Sequence, residues 1–475
     1  MAHGRRRHLG PAALPPSLAS LPWRRLGAVC LTALCLLTAW ASWRRDLPLP
    51  PAPGVPLGHP LGGGIIERAM AAIDTSQGLG PSSALRVRLD DSQWQALKPT
   101  LAPAETQLIE IYRLIGAGST QEALAQSTHL VREHPNFQLA QLVHGDLLSL
   151  HIRPVRQLGE VADTQAIAAR DQLAALREES RRRLRALAER PPEGAIPSAF
   201  LALAPSSRHA IAVDASRSRL YLFENTARLD SAAPPALRLV ADFYISVGLA
   251  GIDKAVEGDK RTPLGVYYIT STLDPDSLPD LYGAGALPLN YPNALDMLRG
   301  KTGSGIWLHG TPSDQFVRAP QASDGCVVMS NPDLKRLLDT VQIRSTPVVI
   351  APSLEWVSPA ALTPDREAFA AALENWRRSR SERDLSTLKG FYSSRFQQQG
   401  QGLAQWWPRL ETELIAQPAR DLRLKELSML HWRDREDVMV VTFGEVAAGQ
   451  VRGQTRRQYW VRENDRWSII FEGVI

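Results

Sequence analysis

The spacing of hydrophobic residues changes twice along the chain, and this change limits the fold to separate modules. Apolar residues recur at helical spacing between about Glu105 and Arg190, and short strand-like runs begin at Arg208. After Ala351 helical segments return and are followed by further strand-like runs. A chain of 475 residues is too long for one hydrophobic core. The sequence therefore predicts a multidomain α+β protein with a helical module, a mostly-β module and a C-terminal α+β module.

An uncharged run of 18 residues, Leu26 to Trp43, lies between two arginine pairs near the N-terminus. As a helix it would span roughly 27 Å, which is enough for the hydrocarbon core of a bilayer. Five arginines precede it, so the positive-inside rule makes residues 1–45 a cytoplasmic tail and signal anchor in the inner membrane. The rest is expected at the periplasmic face of that membrane. The competing interpretation is a cleaved signal peptide, because Ala39-Trp40-Ala41 has the small-x-small form of a cleavage site.

The positive charge of the chain resides in this leader. The net charge is +5, but residues 1–45 hold seven arginines and no acidic residue, which leaves 47 basic and 49 acidic side chains elsewhere. Such a balanced body lacks the electrostatic footprint of a nucleic-acid-binding protein. Of three cysteines only Cys326 lies outside the leader. A cysteine without a disulfide partner is chemically exposed in an oxidising compartment, so we expect its presence there to have a chemical reason.

Two segments precede the strand-rich region. Residues 46–100 are predicted to form a Pro/Gly-rich linker that holds the body away from the membrane. A helical module is expected over residues 101–195, with a break at Gly116–Gly118. The stretch from Ile111 to Leu148 resembles a tetratricopeptide unit, for which we expect a protein partner; a plain helical hairpin packed on its neighbour is the alternative. The run Arg181–Arg183 is interpreted as a solvated helix face.

A strand-end histidine and a cysteine 17 positions later suggest nucleophilic catalysis. His309 ends the strand-like run that begins at Ile306, and Cys326 directly follows Gly325. A free thiol is mostly protonated at neutral pH, so a nearby imidazole is needed to supply the thiolate. The glycine lets the backbone approach a substrate, and neighbouring N–H groups can face a developing oxyanion. A buried structural cysteine and a core histidine are the alternative that spacing alone leaves open.

Four sequence pieces, in order between residues 200 and 353, resemble the L,D-transpeptidase (YkuD-type) catalytic domain. They are Val213-Asp214 with Arg219 to Leu222, Gly258 to Tyr267, His309-Gly310-Thr311, and Ser323-Asp324-Gly325-Cys326. The resemblance implies a mostly-β catalytic domain and a peptidoglycan-modifying cysteine acyltransferase that needs no metal or cofactor. Its substrate would be a peptidoglycan stem peptide, and its product a thioester that an amine resolves.

The resemblance also implies roles for individual residues. Cys326 attacks the L,D-bond of a tetrapeptide stem, and His309 takes up the thiol proton and returns it to the leaving amine. The backbone at Gly310 orients the histidine, and Ser323 is counted with this catalytic group. The amides of Gly325 and Cys326 are expected to hold the oxyanion.

This chain departs from the family pattern at two positions. Asp324, counted here among the substrate contacts, stands where many members carry histidine, and Val328 stands where they carry an arginine able to bind a carboxylate. Residues 282–293 are similar to a branch that includes L,D-carboxypeptidases. We interpret them as a substrate-covering loop with Tyr282 and Asn290 as contacts; a Pro/Gly-rich surface loop is the alternative. The alternative functions are acyl transfer to water, as in an L,D-carboxypeptidase or amidase, and a non-catalytic cell-wall scaffold.

Residues 360–475 resemble a nuclear-transport-factor-two-like domain, abbreviated NTF2-like. Phe391-Tyr392-Ser393 and the closing stretch from Tyr459 to Gly473 carry this resemblance. A helix is predicted over Leu385–Phe396, and Asn464-Asp465 is predicted to form a two-residue hairpin turn. The resemblance implies an α+β, cone-like fold with an accessory role in binding glycan, peptide or a partner.

Overall fold

The computed structural model describes residues 91–155, 157–160, 169–227, 236–416 and 421–475. The anchor or signal peptide predicted within residues 1–45 lies outside these ranges, as does most of the linker predicted over 46–100. Within the described ranges, no helix combines the length and the apolar character that a membrane span requires.

The helical module is a set of helices packed on one apolar core. Its helices are α1 (Asp91–Leu97), α2 (Pro103–Gly116), α3 (Thr120–Glu133), α4 (Gln138–Ser149) and α5 (Arg170–Ala188). The predicted break between α2 and α3 is confirmed, and Gly118 permits it with a φ of 81°. Trp94 of α1 belongs to the same core, so the module begins inside the segment predicted as linker. The protein partner expected for this module stays a prediction.

A buried ionic cluster joins the helical module to the central module. Glu105 of α2 accepts two hydrogen bonds from Arg219, at 2.7 and 2.8 Å, and lies 2.9 Å from Arg183 of α5. Burial alone would raise the pKa of the Glu105 carboxyl, but the two guanidinium groups outweigh it and lower this pKa to about 2. The solvated face predicted for Arg181–Arg183 was therefore wrong at Arg183, which is 2% exposed. The helical periodicity of the sequence shows that α5 carries charged residues. It does not show which residues, distant in the sequence, form buried ion pairs with them.

The central module is built on a five-stranded sheet. The strands between residues 196 and 357 are β1 (Ile196–Pro197), β2 (Phe200–Ala202), β3 (His209–Asp214), β4 (Arg219–Asn225), β5 (Leu237–Tyr244), β6 (Val247–Gly248), β7 (Gly265–Tyr268), β8 (Ala286–Pro288), β9 (Trp307–His309), β10 (Gln321–Ser323), β11 (Val327–Val328), β12 (Pro347–Ala351) and β13 (Trp356–Val357). The large sheet has the order β5-β4-β3-β12-β7, with β12 parallel to β3 and antiparallel to β7. Helices α6 (Ala294–Leu298) and α7 (Asn331–Thr340) complete the module. The predicted strand-rich character is confirmed.

A smaller sheet carries the residues singled out from the sequence. It has the order β11-β9-β8, with β11 parallel and β8 antiparallel to β9. The covering loop predicted over residues 282–293 is therefore not one loop, because β8 pairs with the strand that ends at His309. Strand β10 pairs in parallel with β6 and leads into the turn before Cys326.

The C-terminal module places helices on one side of a long antiparallel sheet. Its elements are α8 (Thr363–Glu382), α9 (Leu385–Lys389), β14 (Gln397–Gln398), β15 (Gln401–Gly402), α10 (Leu403–Ala416), β16 (Leu422–Arg433), β17 (Asp437–Ala447), β18 (Gln454–Glu463) and β19 (Arg466–Val474). The helix predicted over Leu385–Phe396 was wrong beyond Lys389, because Ser393 instead donates its N–H to the carbonyl of Ile469. Asn464 and Asp465 have φ values of 49° and 60°, which confirms the predicted hairpin turn.

One strand crosses between the modules. The C-terminal sheet has the order β19-β18-β17-β16-β2, and its last strand comes from residues that the sequence analysis counted within the 200–353 module. Ala202 pairs with Met429, and Phe200 with Leu430. Phe200 is wholly buried between the two modules, in a cluster that also holds Phe223 and Tyr459. The central and C-terminal modules thus share a hydrophobic core as well as a sheet edge.

Candidate active site

His309 and Cys326 lie at neighbouring strands of the smaller sheet. In the parallel pairing of β9 and β11, Leu308 is beside Val327 and His309 is beside Val328. Leu308 and Val327 point into the apolar core. Because side chains alternate between faces along a strand, His309 belongs to the opposite face, and Cys326 immediately precedes Val327. The two predicted reacting groups are thus carried by neighbouring strands, His309 at the end of β9 and Cys326 just before β11.

The His309 ring is fixed by its neighbour's backbone. Its Nδ1 lies 2.7 Å from the Gly310 carbonyl oxygen, which can only accept, so Nδ1 carries the proton and Nε2 keeps its lone pair. The Tyr282 ring stands edge-on to the imidazole, with 5.1 Å between centroids. Burial lowers the pKa of His309 to about 4, and the positive charge of Arg318 acts in the same direction. The imidazole is therefore neutral at pH 7 and can accept a proton.

The Cys326 thiol is half-buried and protonated at rest. Burial raises its pKa above the ordinary value of a cysteine. Its Sγ donates a weak hydrogen bond to the Gly305 carbonyl at 3.4 Å, rather than to the His309 ring. Among the described cysteines it is a free thiol. A thiol and an imidazole that are both neutral suit proton transfer during attack rather than a standing ion pair.

The turn before Cys326 is held by hydroxyl groups. Ser323 Oγ donates to the Cys326 carbonyl at 2.6 Å and accepts the Gly325 N–H at 3.1 Å. Thr262 Oγ1 donates to the Gly325 carbonyl at 2.9 Å. Gly325 has a φ of 124°, and a Cβ there would lie 2.8 Å from the Arg261 carbonyl oxygen, so the turn requires glycine. Ser323 is thus a positioning residue, and the N–H of Gly325 is engaged by Ser323 instead of facing a substrate.

Asn331 ties the histidine to the Tyr282 segment. Its Oδ1 accepts the N–H groups of Ala284 and Thr311 at 2.9 and 3.2 Å, and its Nδ2 donates to the Thr311 carbonyl at 2.9 Å. The Gly310 N–H donates to the Tyr282 carbonyl at 3.1 Å. A Cβ on Gly310 would lie 2.0 Å from Asn331 Oδ1, so no side chain fits there. The backbone on both sides of the Gly310 carbonyl, which orients His309, is therefore fixed by hydrogen bonds, to Tyr282 through the Gly310 N–H and to Asn331 through Thr311.

The remaining predicted contacts have partners other than the reacting groups. The Asp324 side chain is 86% exposed and lies 3.7 Å from Lys260. Asn290 Oδ1 accepts the N–H of Tyr268 at 2.7 Å and so holds the sheet rather than facing Cys326. Val328 is buried within the module. Sequence reasoning missed Thr262, although it lies in a matched sequence piece.

Two segments match known protein families. Residues 208–350 match the YkuD L,D-transpeptidase catalytic domain, and residues 368–473 match the Cds6 C-terminal NTF2-like domain. The chain therefore contains a domain of each type, and both predicted resemblances are confirmed. No curated protein matches the chain.

Solved structures resemble parts of this chain. Bd1075 of Bdellovibrio bacteriovorus aligns with a TM-score of 0.50 and 25% identity, over 59% of this chain and 98% of that one. The helical cell shape determining protein Pgp2 from Campylobacter jejuni aligns with a TM-score of 0.47 and 20% identity, over 58% of this chain and 95% of that one. An L,D-transpeptidase from Mycobacterium smegmatis aligns with a TM-score of 0.20 and 12% identity, over 30% of this chain and 58% of that one.

Proposed function

We propose that the protein is a peptidoglycan cysteine acyltransferase that cleaves the L,D-bond of a tetrapeptide stem and transfers the acyl group to an amine. The observation that carries the proposal is the His309 imidazole, neutral and held at Nδ1 by Gly310, on the strand that pairs with the one directly following the free thiol of Cys326. The match of residues 208–350 to the L,D-transpeptidase catalytic domain supports the same chemistry.

The proposed reaction has two covalent steps. Cys326 Sγ attacks the carbonyl of the L-centre while His309 Nε2 takes up the thiol proton. The Cys326 N–H is the candidate donor to the oxyanion, because that of Gly325 is engaged by Ser323. The C–N bond then breaks, the imidazolium returns its proton to the departing D-amino acid, and a thioester remains. An incoming amine attacks the thioester and loses a proton to His309. The C–S bond then breaks, and His309 returns this proton to the sulfur of Cys326.

Transfer to water is the second candidate, and one observation favours it. Val328 stands where many family members carry an arginine, and it is 1% exposed. That position therefore offers no charge to the carboxylate of a second stem peptide. With water as acceptor the same thioester would yield a tripeptide stem, which is L,D-carboxypeptidase activity.

Purified tetrapeptide muropeptides separate these candidates. Incubated with the full-length protein, they yield cross-linked dimers if an amine is the acceptor and monomeric tripeptides if water is. The Cys326→Ala variant is expected to yield neither and to lose covalent labelling by a carbapenem. Labelling that persists in this variant would contradict the nucleophile assignment and favour the non-catalytic scaffold.

We also propose that the protein works at the periplasmic face of the cytoplasmic membrane, held by the uncharged run from Leu26 to Trp43. Fractionation of cells tests this proposal. A full-mass protein in the membrane fraction, digested by protease added to spheroplasts, supports an anchor. A shorter periplasmic protein supports the cleaved signal peptide, and a protein protected in the cytoplasm contradicts export.

A further inference from the structure

Arg318 lies in the segment that joins the two strands ending at His309 and Ser323, β9 and β10, and its guanidinium has no partner among the described residues. Its side chain is half-buried, and no residue in the described ranges forms a hydrogen bond or ion pair with its guanidinium. Its charge acts on Cys326, His309 and Asp324. A charged group held partly out of water without a partner is costly, so this position suits an anionic ligand.

The segment that carries Arg318 is clamped by the helical module. Phe316 stacks on Phe137 with 4.5 Å between ring centroids, and its N–H donates to the Asn136 carbonyl at 3.1 Å. Nδ2 of Asn136 donates to the Ser313 carbonyl at 3.1 Å. The carbonyl of Arg318 itself accepts the Tyr244 hydroxyl at 3.1 Å. The backbone beneath the guanidinium is therefore fixed before any ligand arrives, which lowers the entropic cost of binding.

The other cations near the thiol already have partners. Lys254, whose charge also acts on Cys326, donates to Asp259 at 2.9 Å and to the Val256 carbonyl at 2.9 Å. Lys260 lies 3.7 Å from Asp324. Within the described ranges, Arg318 is thus the cation near Cys326 that is left to bind an incoming anion.

We propose that Arg318 binds the free α-carboxylate of the D-amino acid at the C-terminus of the stem peptide. This assignment rests on the proposed function and names its substrate class as stem peptides that end in a free carboxylate. The carboxylate is attached to the carbon beside the scissile nitrogen, so a group near Cys326 reaches it while the carbonyl lies at Sγ. A planar guanidinium matches a carboxylate with two parallel hydrogen bonds.

Paired substrates test the assignment. The full-length protein is assayed with a tetrapeptide stem and with the same stem ending in a carboxamide. We expect kcat/KM for the acid to exceed that for the amide by about 10- to 100-fold, and Arg318→Gln to bring this ratio close to one. Any effect of the substitution on the thiol or the imidazole acts on both substrates and cancels in the ratio. Equal losses for both substrates, or a wild-type ratio near one, would overturn the assignment.

A matched control and a binding measurement complete the test. Lys260→Gln removes a positive charge from the same rim and is expected to leave the acid-to-amide ratio unchanged; a ratio lowered as much as by Arg318→Gln would contradict a specific contact. Binding of both peptides to Cys326→Ala, followed by calorimetry, separates this assignment from the reaction. A preference for the acid that disappears in Cys326→Ala/Arg318→Gln supports Arg318 even if wild-type protein cleaves neither stem. Equal binding of acid and amide contradicts it even if both are cleaved.

Discussion

Replacing Asn331 by alanine tests whether the network behind His309 controls catalysis. The substitution removes three hydrogen bonds to the backbone of Ala284 and Thr311. At about 1 kcal/mol for each bond, the free energy of unfolding should fall by roughly 3 kcal/mol. The Gly310 carbonyl loses its support at the same time. A displacement of about 1 Å at a catalytic group costs about 100-fold in rate, so we expect kcat/KM to fall by 10- to 100-fold.

The pH dependence of kcat/KM distinguishes positioning from mere stability. Burial lowers the pKa of His309 to about 4, and loosening the segment that covers it should admit water. The pKa of the imidazole should then rise towards about 6.5, and the acid limb of the profile should move with it. Because the base must be neutral to accept the thiol proton, the variant should lose activity as the pH falls from 7 to 5, whereas the wild type keeps it.

Asn293→Ala is the matched control for this experiment. It also removes two hydrogen bonds, one to the Val266 carbonyl at 3.0 Å and one from the Asp296 N–H at 2.9 Å. It should therefore cost about 2 kcal/mol of stability without moving the acid limb. The reasoning is refuted if Asn331→Ala loses stability but keeps both the rate and the pH profile of the wild type.

Three further outcomes are expected. In the wild type, kcat/KM should stay level between pH 7 and 5 and fall as the pH drops through about 4, where His309 becomes protonated. Glu105→Gln removes the carboxylate that accepts two hydrogen bonds from buried Arg219 and leaves it Asp242 at 3.5 Å, so the free energy of unfolding should fall by about 3 kcal/mol in chemical denaturation at pH 7. Because folding lowers the pKa of Glu105 to about 2, its contribution in the wild type is complete above pH 4.5 and disappears as the pH falls towards 2. Gly325→Ala, which brings a Cβ within 2.8 Å of the Arg261 carbonyl, should remove carbapenem labelling, as measured by mass spectrometry, while the far-UV circular dichroism is kept.

The fold was largely predictable because hydrophobic spacing reports local structure. The runs around Ala210–Val213 and Leu220–Phe223 became β3 and β4, and the turn at Asn464-Asp465 has the positive φ values that its residue types permit. The spacing of hydrophobic residues did not predict burial that depends on a partner distant in the sequence. Arg183 is charged, yet it is buried because Glu105 and Glu179 lie beside it.

The active site was predictable in part. The types of residue and their order indicated His309 and Cys326, because few other residues can perform this chemistry. The supporting residues could not be found in this way. Asn331 and Arg318 are ordinary residues of a helix start and a loop, and the contacts on which their proposed roles rest form only when the chain folds back on itself. The hydrogen bond between Ser323 and the Gly325 N–H likewise depends on the conformation of the turn.

The strand shared between the modules, β2, limits the order in which parts of the protein can fold. The Ala204 N–H bonds to a hydroxyl 224 positions later, at Ser428, and β2 finds its neighbour only when β16 is present. Because the chain is synthesised from its N-terminus, β2 cannot pair until almost all of the residues that follow it, as far as β16, have also been made. A product cut short before Leu422 would expose Phe200 to solvent, and such an incomplete chain should be recognised and degraded. Complete burial of Phe200 therefore requires that the chain has been synthesised beyond Leu422.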